Sequence, residues 1–437
     1  MYKRQFGGWA SDITTDDKED YAQVDATLRL QSDTIPMLHF GLRGADHRRT
    51  LEWLGGTLAP GAGDLANAPT SGLTHFPEAP LPNMLSGAWT FTANSVNAWG
   101  DRFVTFQNHA YQSEFDIREK ATSVYAMADF AMGMATGNFG LRIVNTKVRV
   151  ANASPNDHWD PVITENDYTD YLPSLNVRLE LSPTLIGRAA LTRTMARPEI
   201  GSLGALSLQD IQHTGSGGNP NLKPVRSNNL DIGVEWYFMP KSLLAATVFA
   251  MDMSSYVTYG QYTATYFNQS EGRDTEYNLS AALNTSARVR GIELAYVQDF
   301  GNGFGFNANY TYSDGKETGK APGSACATSG NCDMVGNSQN VYNLGGFFEN
   351  DVFSARVAYN YRSTFLNGLN RNSAIYQYSI GTVSASLGYR LNKYLSLTLE
   401  GKDLNDPTLK SYASTPDQPR AFYKNGRQFY FGIRGQI

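Results

Sequence analysis

The chain has 437 residues, of which 18% are charged and 12% aromatic, and its net charge is −5. That balance excludes nucleic acid as a partner, because phosphate binding needs a basic face, and the absence of any apolar run of 18 residues excludes a membrane helix. It does not exclude a membrane β-barrel, which spans lipid with half of its strand residues polar.

The opening MYKRQFGGWASDITTDDKEDYAQ has basic residues but no apolar stretch behind them, so it is not a secretory signal. Residues 1–18 read as an atypical lead-in, foreign to the remainder of the chain, and the organised part is expected over 19–437. From there about fifteen strands can be drawn, near 19–31, 36–53, 115–130, 136–152, 168–182, 184–197, 227–238, 241–258, 283–300, 303–316, 338–350, 352–365, 374–391, 394–406 and 424–437. The period of two is plainest in 230–238. Leu230, Ile232, Val234, Trp236 and Phe238 share one face, with Asp231, Gly233, Glu235 and Tyr237 on the other. Leu175, Val177 and Leu179 repeat the pattern earlier, and Phe304, Phe306, Ala308, Tyr310 and Tyr312 repeat it later.

A soluble sandwich also alternates, so two further features decide the class. Many of these runs reach ten residues or more, against about five or six for an ordinary strand. The links also alternate in length. Tight turns fall at 32–35, 182–184, 239–242, 301–303, 350–351 and 392–393, and long links at 54–114, 153–167, 198–226, 259–282, 317–337 and 407–423. Short turns on one rim and long loops on the other is the layout of an outer-membrane barrel. The expected fold is all-β: an antiparallel transmembrane β-barrel wall whose apolar face meets acyl chains.

Several blocks carry a family resemblance. GNPNLKP followed by SNNLDIGVEWYF, DIREKATSVYAMADF with TGNFGLRIVNTKV, YLPSLNVRLELSPTLIGRAALTRTMARPEI, and RVRGIELAYVQDFGNGFGFNANYTYSDG lie in that family's order. With KDLNDP and FYKNGRQFYFGIRGQI at the end, they resemble TonB-dependent outer-membrane receptors, and most closely the proteobacterial branch often associated with carbohydrate uptake. The resemblance implies the last two-thirds of a 22-stranded barrel, without the N-terminal plug through which the TonB complex acts. It implies energised import of a scarce solute across the outer membrane of a Gram-negative bacterium, with outer-membrane lipid, the TonB complex and the barrel-assembly machinery as partners. The cargo is expected to be an oligosaccharide or other small molecule, with a ferric siderophore or haem as the alternative, and a passive porin or adhesin as a second. No cofactor and no metal site are expected. The chain carries no catalytic motif such as GxSxG or HExxH, so it is not read as an enzyme.

Candidate ligand residues are aromatic or lie in loops. Trp89, Trp99 and Trp159 offer flat faces for sugar rings, although tryptophans also form the girdles of a barrel. His213 lies between Arg197-Pro198 and the block Asn219, Pro220, Asn221, Leu222, Lys223 and Pro224, a pattern resembling that of haem receptors and also widespread in the family. Cys326 and Cys332, with five residues between them, suit a small disulfide-closed loop. Metal ligation is the alternative, though zinc takes four ligands and the loop has no histidine. At the end, Phe429, Phe431, Ile433 and Ile437 share a face and match the assembly signal the resemblance implies, except that the last residue is Ile and not an aromatic.

Overall fold

The computed structural model describes residues 11–62, 65–75, 89–153, 159–204, 206–268, 270–328, 330, 332–370 and 373–435. Fifteen long strands form an antiparallel meander. They are β1 (Ser11–Arg29), β2 (Met37–Leu58), β3 (Phe115–Met132), β4 (Ala135–Ala153), β5 (Pro161–Ser182), β6 (Leu185–Ala196), β7 (Val225–Met239) and β8 (Ser242–Asn268). The series continues with β9 (Arg273–Asp299), β10 (Phe304–Glu317), β11 (Asn340–Glu349), β12 (Phe353–Arg362), β13 (Ile380–Arg390), β14 (Leu395–Lys402) and β15 (Gln428–Gly435). Each pairs with its sequence neighbour. The same holds through to β15. Among the described residues β1 pairs only with β2, and β15 only with β14.

Register aligns the apolar side chains across the wall. Val24 faces Leu42, which faces Val124, then Ile143 and Tyr171. Leu175, Leu191 and Leu230 continue the band, as do Ile232, Val248 and Ile292, and it ends at Leu387, Leu399 and Phe431. Leu42, Val124, Leu191, Ile232, Val248, Leu387 and Phe431 are all exposed on the convex side. An apolar band running strand after strand without protein to cover it far exceeds the patch a monomer in water tolerates.

The tight links of β1–β2, β5–β6, β7–β8, β9–β10, β11–β12 and β13–β14 all lie on one rim, as the sequence predicts. The opposite rim differs from expectation in three places. Residues 259–282 are not a loop: β8 and β9 run on as a single hairpin of two 27-residue strands. Beyond the apolar band no lipid-facing side has to be hydrophobic, and the apolar residues that remain, Tyr262, Ala264 and Tyr266 with Tyr277 and Leu279, pack around Leu206 and Leu208 of the β6–β7 link, so the segment reads as a loop although the ladder continues. For the same reason β1 begins at Ser11 instead of 19, its polar SDITTDDK pairing with Arg48 to Gly55. The rim also carries a helix, α1 (Ala93–Phe103), and a four-stranded sheet of Phe365–Asn370, Ser373–Gln377, Thr408–Ala413 and Pro419–Lys424. The expected strand 374–391 therefore divides, its first residues joining the rim sheet and the wall starting at Ile380.

On the concave side lies a small core. Phe115 and Ile117 of β3, Val148 and Val150 of β4 and Ala282 of β9 enclose Ile200, Leu203 and Leu222 of the β6–β7 link, with Leu51, Tyr168 and Val257 around them. Residues from β2 to β5 and from β8 to β9 touch one buried loop, so the sheet curls around it.

Candidate functional site: the concave face and its roof

Side chains of opposite parity to the apolar band face inward, and away from that core many of them are charged. Glu19 meets Arg43 at 3.3 Å, His47 meets Asp17 at 2.5 Å and His39 meets Asp129 at 3.0 Å. On β6 and β7, Arg188 grips Glu235 with two bonds of 2.6 and 3.1 Å. Tyr125 of β3 donates to Asp25 of β1 at 2.8 Å across the intervening strand. That bond depends on Gly41 of β2, where a Cβ would fall 2.4 Å from both the carboxylate and the ring.

Residues 197–224 leave the end of β6 and fold inward as a roof. A turn at Ile200–Ser202 is followed by a hairpin of Leu206–Gln209 and Thr214–Gly217, whose second strand pairs in parallel with Asn278–Ala281 of β9. Gly218 crosses Gly204 so closely that a Cβ there would lie 2.1 Å from the Gly204 carbonyl oxygen. The segment from Asn219 to Pro224 then clips the roof to the wall. Asn219 donates its side-chain amide to the Ala282 carbonyl at 3.1 Å, and Asn166 donates to that of Pro220 at 2.6 Å. Asn284 both accepts from the Lys223 N–H at 2.8 Å and donates to the Lys223 carbonyl at 3.0 Å. Leu222 is buried in the core, and Ser255 donates to the Pro224 carbonyl. The block holds a backbone in place.

Beneath the roof lies a hollow of about 510 Å³, lined by Arg43, Arg49, Arg142, Arg197, His47, Glu19, Glu119 and Glu199. Arg197 reaches Glu119 at 3.1 Å and donates to Thr146 at 3.4 Å. Burial pushes the Glu119 carboxyl up, against the opposing pull of Arg197, and pushes the nearby Tyr168 hydroxyl up to about 12. Both lie beyond the apolar band. An acid whose pKa is higher folded than unfolded leaves stability intact below the ordinary carboxylate range and erodes it as pH climbs to the raised value. Glu119→Gln is therefore expected to flatten the fall of the unfolding midpoint between acid and neutral pH, which denaturation at a series of pH values would read.

Beside the roof hairpin are two more hollows, of about 710 and 670 Å³. Among the described residues, neither has a charged one in its lining. Ser113, Ser202, Ser207, Ser216 and Ser280 line the first together with Trp53 and Tyr259. Gln209, Gln212, Thr214, Gln261 and Asn278 line the second. Hydroxyls, amides and two aromatic faces can hold a polar uncharged ligand.

Of the four residues expected to contact ligand, Trp99, Trp159 and His213 are not brought together. Trp99 sits in α1, its ring 5.9 Å from Phe103. Trp159 is exposed just before β5, and the backbone of Trp89 pairs with His75. His213 occupies the tip of the roof hairpin with a φ of 50°, its Nε2 2.6 Å from Glu271 and its ring 6.0 Å from Tyr277. Trp99, Trp159 and His213 line none of the three hollows. The residues that do, Trp53 and Tyr259 above all, lie within strands, Trp53 at the end of a run that reads as wall and Tyr259 at the start of a stretch that reads as a loop. Cys326 and Cys332 form a disulfide. Phe429, Phe431 and Ile433 stand exposed on the convex face of β15, and Ile437 lies outside the described residues. Among the described residues no group of three or more His, Cys, Asp or Glu could hold a metal.

Comparison with known proteins adds a family and a set of folds. The family model for the TonB dependent receptor-like beta-barrel matches residues 2–404. No curated protein sequence matches significantly. The ferric-catecholate import receptor Fiu from K12 E. coli, in its closed form, is 15% identical with a TM-score of 0.62, covering 96% of this chain and 55% of its own. The copper transporter OprC is 13% identical at 0.63, with 99% and 59% covered. The ferric citrate transporter FecA, unliganded, is 12% identical at 0.59, with 97% and 55% covered. The chain spans little more than half the length of these solved structures, and at such identities the likeness is one of fold.

Proposed function

The chain belongs to the TonB-dependent receptor β-barrel family, and from that premise we propose that it forms wall of an outer-membrane receptor that imports a scarce small solute. Its convex apolar band would contact outer-membrane lipid, having been placed there by the barrel-assembly machinery. The TonB complex would act through a plug that the described residues do not include. The wall supplies binding and enclosure, with no chemical step on the cargo.

The cargo best suited to the site is a neutral, hydroxylated one, an oligosaccharide. The observation that carries this reading is the pair of hollows beside the roof hairpin, lined among the described residues by uncharged side chains, with Trp53 and Tyr259 in one of them. Aromatic faces pack on the C–H faces of sugars, while serine, glutamine and asparagine exchange hydrogen bonds with hydroxyls. Calorimetry on the receptor in its full natural length, with maltose-, xylose- and galactose-based oligosaccharides, is expected to show binding to at least one series. Trp53→Ala and Tyr259→Ala should each weaken that binding by about tenfold, roughly the worth of one aromatic contact.

A second reading takes a ferric chelate as cargo. It is favoured by the four arginines of the deeper hollow, which suit an anion, and by similar folds that carry ferric catecholate and ferric citrate. Tight binding of ferric citrate or a ferric catecholate, with no response to any oligosaccharide, would replace the first reading by this one. Haem is the weaker iron cargo, because the His213 Nε2 is already engaged by Glu271.

A further inference from the structure

On the convex face of β1 to β5 the register orders side chains in rows. The last apolar row is Val24, Leu42, Val124, Ile143 and Tyr171. Two residues further along each strand comes a neutral row that includes Thr122, Asn145 and Thr169. Beyond it Lys120 stands directly opposite Lys147, and in the next row Arg118 stands directly opposite Arg149. Like charges facing each other across a ladder repel, so four cations in a square on two adjacent strands need an anion to share.

The square does not find enough anions among the described residues. Asp46 chelates Arg118 at 2.5 and 2.8 Å and lies 3.7 Å from Lys120. Asp167 is 3.8 Å from Lys147, beyond hydrogen-bonding reach. Arg149 makes no hydrogen bond or ion pair among the described residues, although Glu165 is its register partner. Between these side chains is an open hollow of about 390 Å³ on the outer surface, lined by the four cations with Glu165, Asn166 and Asp167.

We propose that this hollow binds the phosphorylated headgroup of an outer-leaflet lipid. Each row adds about 6.6 Å along the strand, so the lysine row lies about 13 Å and the arginine row about 20 Å beyond the apolar band, less after strand tilt. That is headgroup height, directly above the acyl chains that the band would contact, and one molecule can satisfy both surfaces. The inference rests on the reading of the band as lipid-facing.

The test is native mass spectrometry of the receptor in non-ionic detergent with bisphosphorylated lipid A, its dephosphorylated form and inorganic phosphate as probes. The bisphosphorylated lipid should stay bound where the dephosphorylated one leaves. Inorganic phosphate should neither form the adduct nor displace the lipid. Lys120→Gln, Lys147→Gln and Arg149→Gln should each lower occupancy by about fivefold, as expected for one basic side chain near a membrane surface. Asp167→Asn, which removes a competing carboxylate, should raise it. All four positions are at the outer surface, and an unchanged unfolding midpoint would show that each variant folds. Equal retention of the two lipids, indifference to the three cation changes, or equal capture of free phosphate would overturn the proposal. A chain that enters detergent micelles and bilayers yet shows no phosphate preference would sink this inference alone. One that never enters them would sink the lipid-facing reading as well.

Discussion

Arg226→Ala is expected to destabilise the folded wall by about 3–5 kcal/mol, the cost of leaving a buried charge without its partner. The carboxylate of Asp170 is 1% exposed and Arg226 20% exposed, and the two are joined by two hydrogen bonds from β7 to β5, over the end of the shorter β6. The guanidinium also lies 5.7 Å from the centre of the Tyr168 ring. The pair therefore closes the wall where the ladder between β5 and β6 stops at Ser174 and Thr192. Urea titration in detergent would show a lower midpoint. The double change Arg226→Met with Asp170→Asn should recover much of the loss, because it removes both charges together. Full stability of Arg226→Ala alone would mean that the carboxylate is solvated and that the closure is not made by this pair.

Ile232→Arg is the second large effect, at about 2–4 kcal/mol if the convex face meets the middle of a bilayer. Ile232 is half exposed and stands in register between Ala189 of β6 and Val248 of β8. In water a charge at an exposed site would cost little, so the magnitude itself reports the solvent. Asp231→Asn, one residue away and on the concave side, is expected to stay within about 0.5 kcal/mol. Equal, small effects at both positions would say that the two faces see the same medium.

These contrasts also mark how much the sequence makes legible. Within the band one face must be apolar and the other need not be, so Leu230 to Trp236 announce a strand, its register and its facing. Every one of the fifteen wall strands is visible for that reason. Outside the band the constraint lapses. Tyr259 to Asn268 and Arg273 to Ala282 form the tallest hairpin in the wall from residues that read as a loop, and Ser11 to Lys18 pair fully while reading as a lead-in. The site suffers the same loss. Trp53 looks like one more wall residue because nothing local says that its strand has risen past the apolar band and now faces a roof. That roof is made by residues 197–224, whose inward path depends on the distant partners Asn166, Ala282 and Asn284. The block from Asn219 to Pro224 stands out in the sequence, and its position shows why: it is a fastening, and His213 beside it tips a hairpin without facing any of the three hollows. Trp99 and Trp159 stand out in the sequence as loop aromatics, but neither lines any of the three hollows.

The most direct measurement is a spin-label scan along β7. Single labels at 229 to 235, in the receptor reconstituted into bilayers, would be read for collision with oxygen, which concentrates in hydrocarbon, and with a water-soluble nickel chelate. Labels at Leu230, Ile232 and Val234 are predicted to favour oxygen, and labels at Asn229, Asp231, Gly233 and Glu235 the chelate, alternating residue by residue. A flat profile, or chelate access on both faces, would contradict the account.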